Sequence, residues 1–187
     1  MNVPNLLTLA RIILCFAIVV LLLSGNITNK YLISFIIFII ASFTDYYDGK
    51  IARRCNKITN FGKFTDPIAD KILVISILIC FVELKIINSF PVILLILREF
   101  LVVILRLMAV EQSKVIAADK LGKLKTISQI FSISVILVLK SFEEFNFRIN
   151  VFFTSCSYII FWFSIIISLI SGIMYIYNNR RYLKDKM

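Results

Sequence analysis

The chain has 187 residues, 60% of them hydrophobic, a mean hydropathy of +0.93 and a formal net charge of +10. That apolar load exceeds what a water-soluble domain of this size buries, so the composition predicts an all-α polytopic membrane protein, with room for six transmembrane helices in a single domain spanning 1–187. Histidine is absent, which excludes Ser-His-Asp and Cys-His nucleophilic schemes, His-ligated zinc and covalent His chemistry of the phospholipase D type.

In chain order, apolar runs place spans at 6–23, 31–43, 72–82, 86–103, 127–139 and 151–177. The first is preceded by neither a basic segment nor a small-residue cleavage site, and reads as a retained span rather than a signal peptide. The second continues naturally through Asp45 to Ala52 as one helix, and the third can begin at Pro67, a favoured first helical position. Basic residues divide unevenly between alternate connections. Fifteen Lys and Arg lie after spans two and four and in the C-terminal tail, against four (Lys30, Lys85, Lys140 and Arg148) in the other connections. This asymmetry predicts that both termini and the two basic loops are cytoplasmic, and it assigns the positive charge to anionic lipid and membrane orientation rather than nucleic acid. Cys15, Cys55, Cys80 and Cys156 form no CxxC pair and are read as neither disulfides nor metal ligands.

Four of the eleven acids fall in one stretch, Asp45, Asp48, Asp66 and Asp70. Positions 45 and 48 are one helical turn apart, as are 66 and 70, and two such carboxylate pairs suit hard divalent cations bridging a pyrophosphate. Gly49 and Gly62 leave room for a ligand to approach the backbone, and Arg53 offers a fork for a phosphate oxygen. Charge runs are usually wetted surface. Here the string D-x2-D-G-x2-A-R-x8-G-x3-D-x3-D fits residues 45–70 at all eight fixed positions, a chance event on the order of one in 10^10 per start position with equal residue frequencies.

That string is the signature of the CDP-alcohol phosphatidyltransferases, and the chain resembles that family. The segment from Asn2 to Arg11, Arg98-Glu99 with Arg106, and Leu121-Gly122-Lys123-Leu124-Lys125-Thr126 resemble its bacterial phosphatidylglycerophosphate synthase branch. The resemblance implies six helices, a metal site at the cytoplasmic face of the inner membrane, and transfer of a phosphatidyl group from CDP-diacylglycerol to sn-glycerol 3-phosphate with release of CMP. It implies Asp45, Asp48 and Asp66 as ligands of two divalent ions, Mg²⁺ or Mn²⁺, and Asp70 as general base that also touches metal. It assigns Gly49, Ala52, Arg53 and Gly62 to the CDP moiety, and Arg106 and Lys123 to the acceptor phosphate, with Arg98 and Lys125 as further candidates. A homodimer is compatible with it.

Three other readings stay open on the residues. A sister phosphatidyltransferase with phosphatidylglycerol, serine or inositol phosphate as acceptor shares the signature, which fixes the donor and not the alcohol. A membrane prenyltransferase also uses acid-rich motifs on a diphosphate, but lacks the Gly-x2-Ala-Arg continuation. A cation channel or transporter would spread acids along a transmembrane path, whereas these cluster at one end. The Arg98–Glu99 pair inside span four is equally a functional group and a lock between helices.

Overall fold

The computed structural model describes the backbone of residues 3–25, 27–55, 60–111 and 120–179, and the side chains of 9–25, 27–44, 71–106, 108 and 121–179. The described residues form six helices and no strand: α1 (Val3–Leu23), α2 (Lys30–Cys55), α3 (Asn60–Glu83), α4 (Ser89–Glu111), α5 (Lys120–Glu144) and α6 (Val151–Asn178). Five of the six contain a whole apolar run, and α4 takes the fourth run from that run's fourth residue on, since 86–88 belong to the turn before it. The helices outrun those runs at the ends where charge had suggested loop. Helix α3 begins at Asn60, so Pro67 is an interior residue rather than the first. The missing proline N–H removes one hydrogen bond, to the carbonyl of Lys63, and the flanking turns carry the helix across that gap. Helices α4 and α5 likewise extend to Glu111 and from Lys120, which puts Arg106 and Lys123 on helices.

Packing follows the apolar stripes. Helix α1 lies on α2 and α3, α2 on α5, α5 on α6, and α6 on α4. Ile18 and Leu22 of α1, Phe38 of α2, Ile77, Leu78 and Phe81 of α3, Leu95 of α4, Ile133 and Leu137 of α5, and Phe161 and Ile165 of α6 fill the centre. These positions recur at three- and four-residue intervals, one face per helix. The outward faces are apolar too: Ile13, Phe16 and Val20 on α1, Leu97, Leu101 and Ile104 on α4, and Ile159, Phe163, Ile166 and Ile173 on α6 are exposed. Meanwhile Arg98, Glu99, Lys125, Gln129 and a row of serines are buried. An apolar outer surface over an interior that holds charged and hydroxyl groups beside its apolar core is the pattern of a protein whose surroundings are hydrocarbon. Two stretches, Leu121–Glu144 and Val151–Asn178, are long and apolar enough to cross a membrane; their 24 and 28 residues span about 36 and 42 Å, against roughly 30 Å of bilayer core.

The connections at one end are tight. Lys85 and Asn146 have φ of 55° and 60° and close α3 and α5 with paired reverse hydrogen bonds: Ile86 N to Phe81 O (2.8 Å) with Lys85 N to Val82 O (3.0 Å), and Phe147 N to Phe142 O (3.1 Å) with Asn146 N to Glu143 O (3.0 Å). These are Schellman caps with a lysine and an asparagine where glycine is usual. The flanking apolar contact is present at the second, where the Phe142 and Phe147 rings meet edge to face at 6.0 Å. Between α1 and α2, Lys30 Nζ donates to the carbonyls of Leu22 (3.1 Å) and Ser24 (3.3 Å). The two carboxylate oxygens of Glu144 accept from the amides of Lys30 (3.3 Å) and Tyr31 (3.4 Å). One cation thus serves the carbonyl end of α1 and one carboxylate the amide end of α2, each where the helix dipole favours it.

Candidate active site

The eight signature positions lie on two helices in succession. Asp45, Asp48, Gly49, Ala52 and Arg53 occupy the C-terminal half of α2, and Gly62, Asp66 and Asp70 the N-terminal half of α3. Only residues 56–59 separate the helices, so Cys55 and Asn60 lie within about 18 Å of each other. Helical backbone on both sides makes the 45/48 and 66/70 spacings true one-turn spacings. The side chains of all eight lie outside the described residues. Gly49 and Gly62 sit within helical backbone, and no described glycine has a positive φ.

Immediately after Asp70 the side chains are described, and they converge on one acid. Glu99 of α4, 3% exposed, is surrounded by cations from three helices. Lys71 of α3 places Nζ 3.0 Å from Glu99 Oε2 and donates to the Glu99 carbonyl at 3.0 Å. Arg98 of α4 donates from Nη1 to Glu99 Oε1 at 2.8 Å, and Lys125 of α5 donates to the same oxygen. A fourth helix contributes through Arg98, whose Nη2 donates to Ser171 Oγ of α6 at 3.0 Å. The next residue, Gly172, is where Arg98 lies: a β-carbon there would come within 2.8 Å of both Cγ and Nε of the arginine. Small residues in membrane helices allow this kind of close approach.

The cluster carries three cations against one carboxylate. Seven residues along α4, and so on nearly the same face as Glu99, Arg106 adds a fourth positive group near enough to oppose the charge of Lys71. The Nε atoms of Arg98 and Arg106 are buried without a hydrogen-bond partner among the described residues. A buried region with surplus positive charge and unspent N–H groups favours an anion. Lys123 and Lys125 fall on different faces of α5, the first exposed and the second buried. The structure therefore brings Lys71, Arg98 and Lys125 together around Glu99, has Arg106 nearby, and leaves Lys123 on the outer side of α5.

Sequence reasoning had singled out Arg98, Glu99 and Lys125, but not their partners. In the sequence Lys71 counts only among the fifteen basic residues of the connections and tail, though its place directly after Asp70 and the need of Glu99 for counter-charge are both visible there. Ser171 and Gly172 belong to a span in which no motif was found; the signal was a row of small residues at helical spacing, Ser157, Ser164, Ser168, Ser171 and Gly172, all buried. The cysteines Cys15, Cys80 and Cys156 are free thiols.

Against this geometry the relationships of the chain are direct. Residues 1–170 match the model of the CDP-alcohol phosphatidyltransferase family, and the chain belongs to that family. It is 37% identical to a CDP-diacylglycerol–glycerol-3-phosphate 3-phosphatidyltransferase of Bacillus subtilis (strain 168), covering 98% of this chain and 97% of the relative. Proteins of the same description from Rickettsia typhi (strain ATCC VR-144 / Wilmington) and Salmonella choleraesuis (strain SC-B67) are 36% and 33% identical. The first covers 93% of this chain and 94% of its own length, the second 99% and 98%.

Proposed function

We propose that this protein is a metal-dependent phosphatidyltransferase that transfers the phosphatidyl group of CDP-diacylglycerol to sn-glycerol 3-phosphate, giving phosphatidylglycerophosphate and CMP. The observation that carries the reading is the complete signature on α2 and α3 in a chain similar along almost its whole length to relatives described by that activity. In this reading the chain is one domain of six transmembrane helices in the inner membrane. Both termini and the acidic ends of α2 and α3 face the cytoplasm, following the fifteen-against-four division of basic residues.

Asp45, Asp48, Asp66 and Asp70 supply only oxygen donors, a set suited to Mg²⁺ or Mn²⁺, and four carboxylates are enough for two ions. Bound there, the ions would neutralise the pyrophosphate and the charge developing on the departing CMP. Arg53 contributes a two-pronged donor to a donor phosphate, and Gly49, Ala52 and Gly62 keep side-chain bulk away from the cytidine moiety. Asp70 accepts the proton of the acceptor hydroxyl as its oxygen bonds to the phosphatidyl phosphorus and the bond from that phosphorus to the CMP oxygen breaks. No histidine is available for that proton. Arg106 holds the acceptor phosphate, with the positive surplus around Glu99 behind it, and Lys123 reaches the phosphate from the exposed side of the first turn of α5. The lipid tails of donor and product remain in the bilayer beside the apolar outer faces.

The test is purified protein given CDP-diacylglycerol and a panel of acceptors, with CMP release and product lipid measured. Product with glycerol 3-phosphate, lost on chelation of divalent ions, is expected. Preference for serine, inositol phosphate or phosphatidylglycerol would transfer the protein to a sister activity. Reaction with a prenyl diphosphate instead of the CDP-lipid would remove it from the proposed class of chemistry.

A further inference from the structure

Glu99 does more than neutralise one neighbour. A helix lock needs a single cation, and buried ion pairs are a costly way to gain stability, since well-packed apolar residues often do as well. Here one carboxylate takes three cations from three helices, and two of them adjoin the site. Lys71 follows Asp70 directly, and it is bound twice to Glu99, through the carboxylate and the carbonyl. Lys125 lies two residues beyond Lys123 and is bound to Glu99 Oε1. Glu99 therefore ties the turn of α3 that follows Asp70 to the second turn of α5. The third cation, Arg98, is fixed from behind by the Ser171 hydroxyl and by the bare backbone of Gly172.

We infer that Glu99 is a positioning residue for phosphatidyl transfer, holding the Asp70 end of α3 and the Lys123 end of α5 in one register, with Ser171 and Gly172 of α6 as the seat that keeps Arg98 on it. The inference rests on the proposed function and extends it to a residue that touches neither substrate. Its consequence is selective. Misplacing the hub shifts the acceptor phosphate, held on α4 and α5, relative to the metal-bearing ends of α2 and α3, which are both packed on α1, and so leaves the donor contacts of those two helices in place.

The experiment measures kcat and both KM values, with folded yield in detergent, for wild type, Glu99→Gln, Glu99→Asp and Gly172→Ala. Glu99→Gln removes the charge, Glu99→Asp keeps it but withdraws it, and Gly172→Ala leaves every charge in place while displacing Arg98. The expected result is a KM for glycerol 3-phosphate raised about fivefold or more in Glu99→Gln and Gly172→Ala, less in Glu99→Asp, with the KM for CDP-diacylglycerol within about twofold of wild type. Should Glu99→Gln fail to accumulate, Gly172→Ala decides on the same criterion. If the variants lose folded protein while the folded fraction keeps wild-type KM values, or if both KM values rise together, Glu99 is a helix lock and the inference is wrong. A wild type that releases CMP with none of the acceptors overturns the proposed function, and this inference with it.

Discussion

Asp45, Asp48 and Asp66 are one class of residue on the proposed mechanism and Asp70 another. Substituting Asn at 45, 48 or 66 removes an anionic ligand where metal and pyrophosphate charge must balance, so each variant is expected to lose most of its activity, about 100-fold, while still inserting into membranes. Asp70→Asn is expected to depress kcat more than donor affinity, because an amide fills the space but takes no proton. Donor affinity falling in proportion to rate would make Asp70 chiefly a ligand. At the acceptor, Arg106→Ala and Lys123→Ala are each expected to raise the KM for glycerol 3-phosphate by roughly severalfold and leave that for CDP-diacylglycerol nearly unchanged. The acids were legible in the sequence because their spacing is local, one helical turn. Glu99 was legible as an anomaly, a charge in an apolar run. Lys71, Ser171 and Gly172 were not, because their meaning lies in an approach between helices some 30 and 70 residues apart in the chain, and no local pattern encodes a meeting at that range.

Among the elements, the six helices were readable from hydropathy, and so was the continuation of α2 through Asp45 to Ala52, whereas the starts of α3 and α5 and the end of α4 were misplaced where charge stood beside an apolar run. A helix leaving the bilayer core keeps its backbone hydrogen-bonded as it crosses the headgroup region, so charged residues there extend it instead of ending it. On the proposed six-span arrangement this accounts for α3 beginning at Asn60 and α5 at Lys120. The turn at Lys85 offers a test of cap chemistry. Its φ of 55° suits glycine, and relief of the left-handed cost outweighs the added freedom of the unfolded chain, so Lys85→Gly is expected to stabilise the protein by about 0.5–1 kcal/mol. A higher midpoint of thermal unfolding in detergent would register the gain. Glu144→Gln keeps only one of the two hydrogen bonds to α2, because an amide has a single accepting oxygen, and it also removes the charge at the amide end of that helix, so it is expected to lower stability by about 0.5–2 kcal/mol, less in high salt.

For the whole molecule, orientation is the first thing to check. Labels at single cysteines placed at 57 and 120 are expected to react from the cytoplasmic side, and labels at 26 and 143 from the opposite side. Labelling of 57 and 120 from opposite faces would break the six-span arrangement. The charges within α4 have a consequence for how the protein is made. Arg98, Glu99 and Arg106 make α4 a poor candidate to enter a bilayer unaided. Its counter-charges are divided in time: Lys71 leaves the ribosome before it, Lys125 and Ser171 after it. A nascent chain halted between α4 and α5 holds Glu99 with two of its three cations and Arg98 without its seat. On the proposed six-span arrangement, α4 acquires its full set of counter-charges only once the fifth and sixth helices have been made, so a chain truncated after α4 is expected to hold that helix in the membrane less firmly than the full-length chain does.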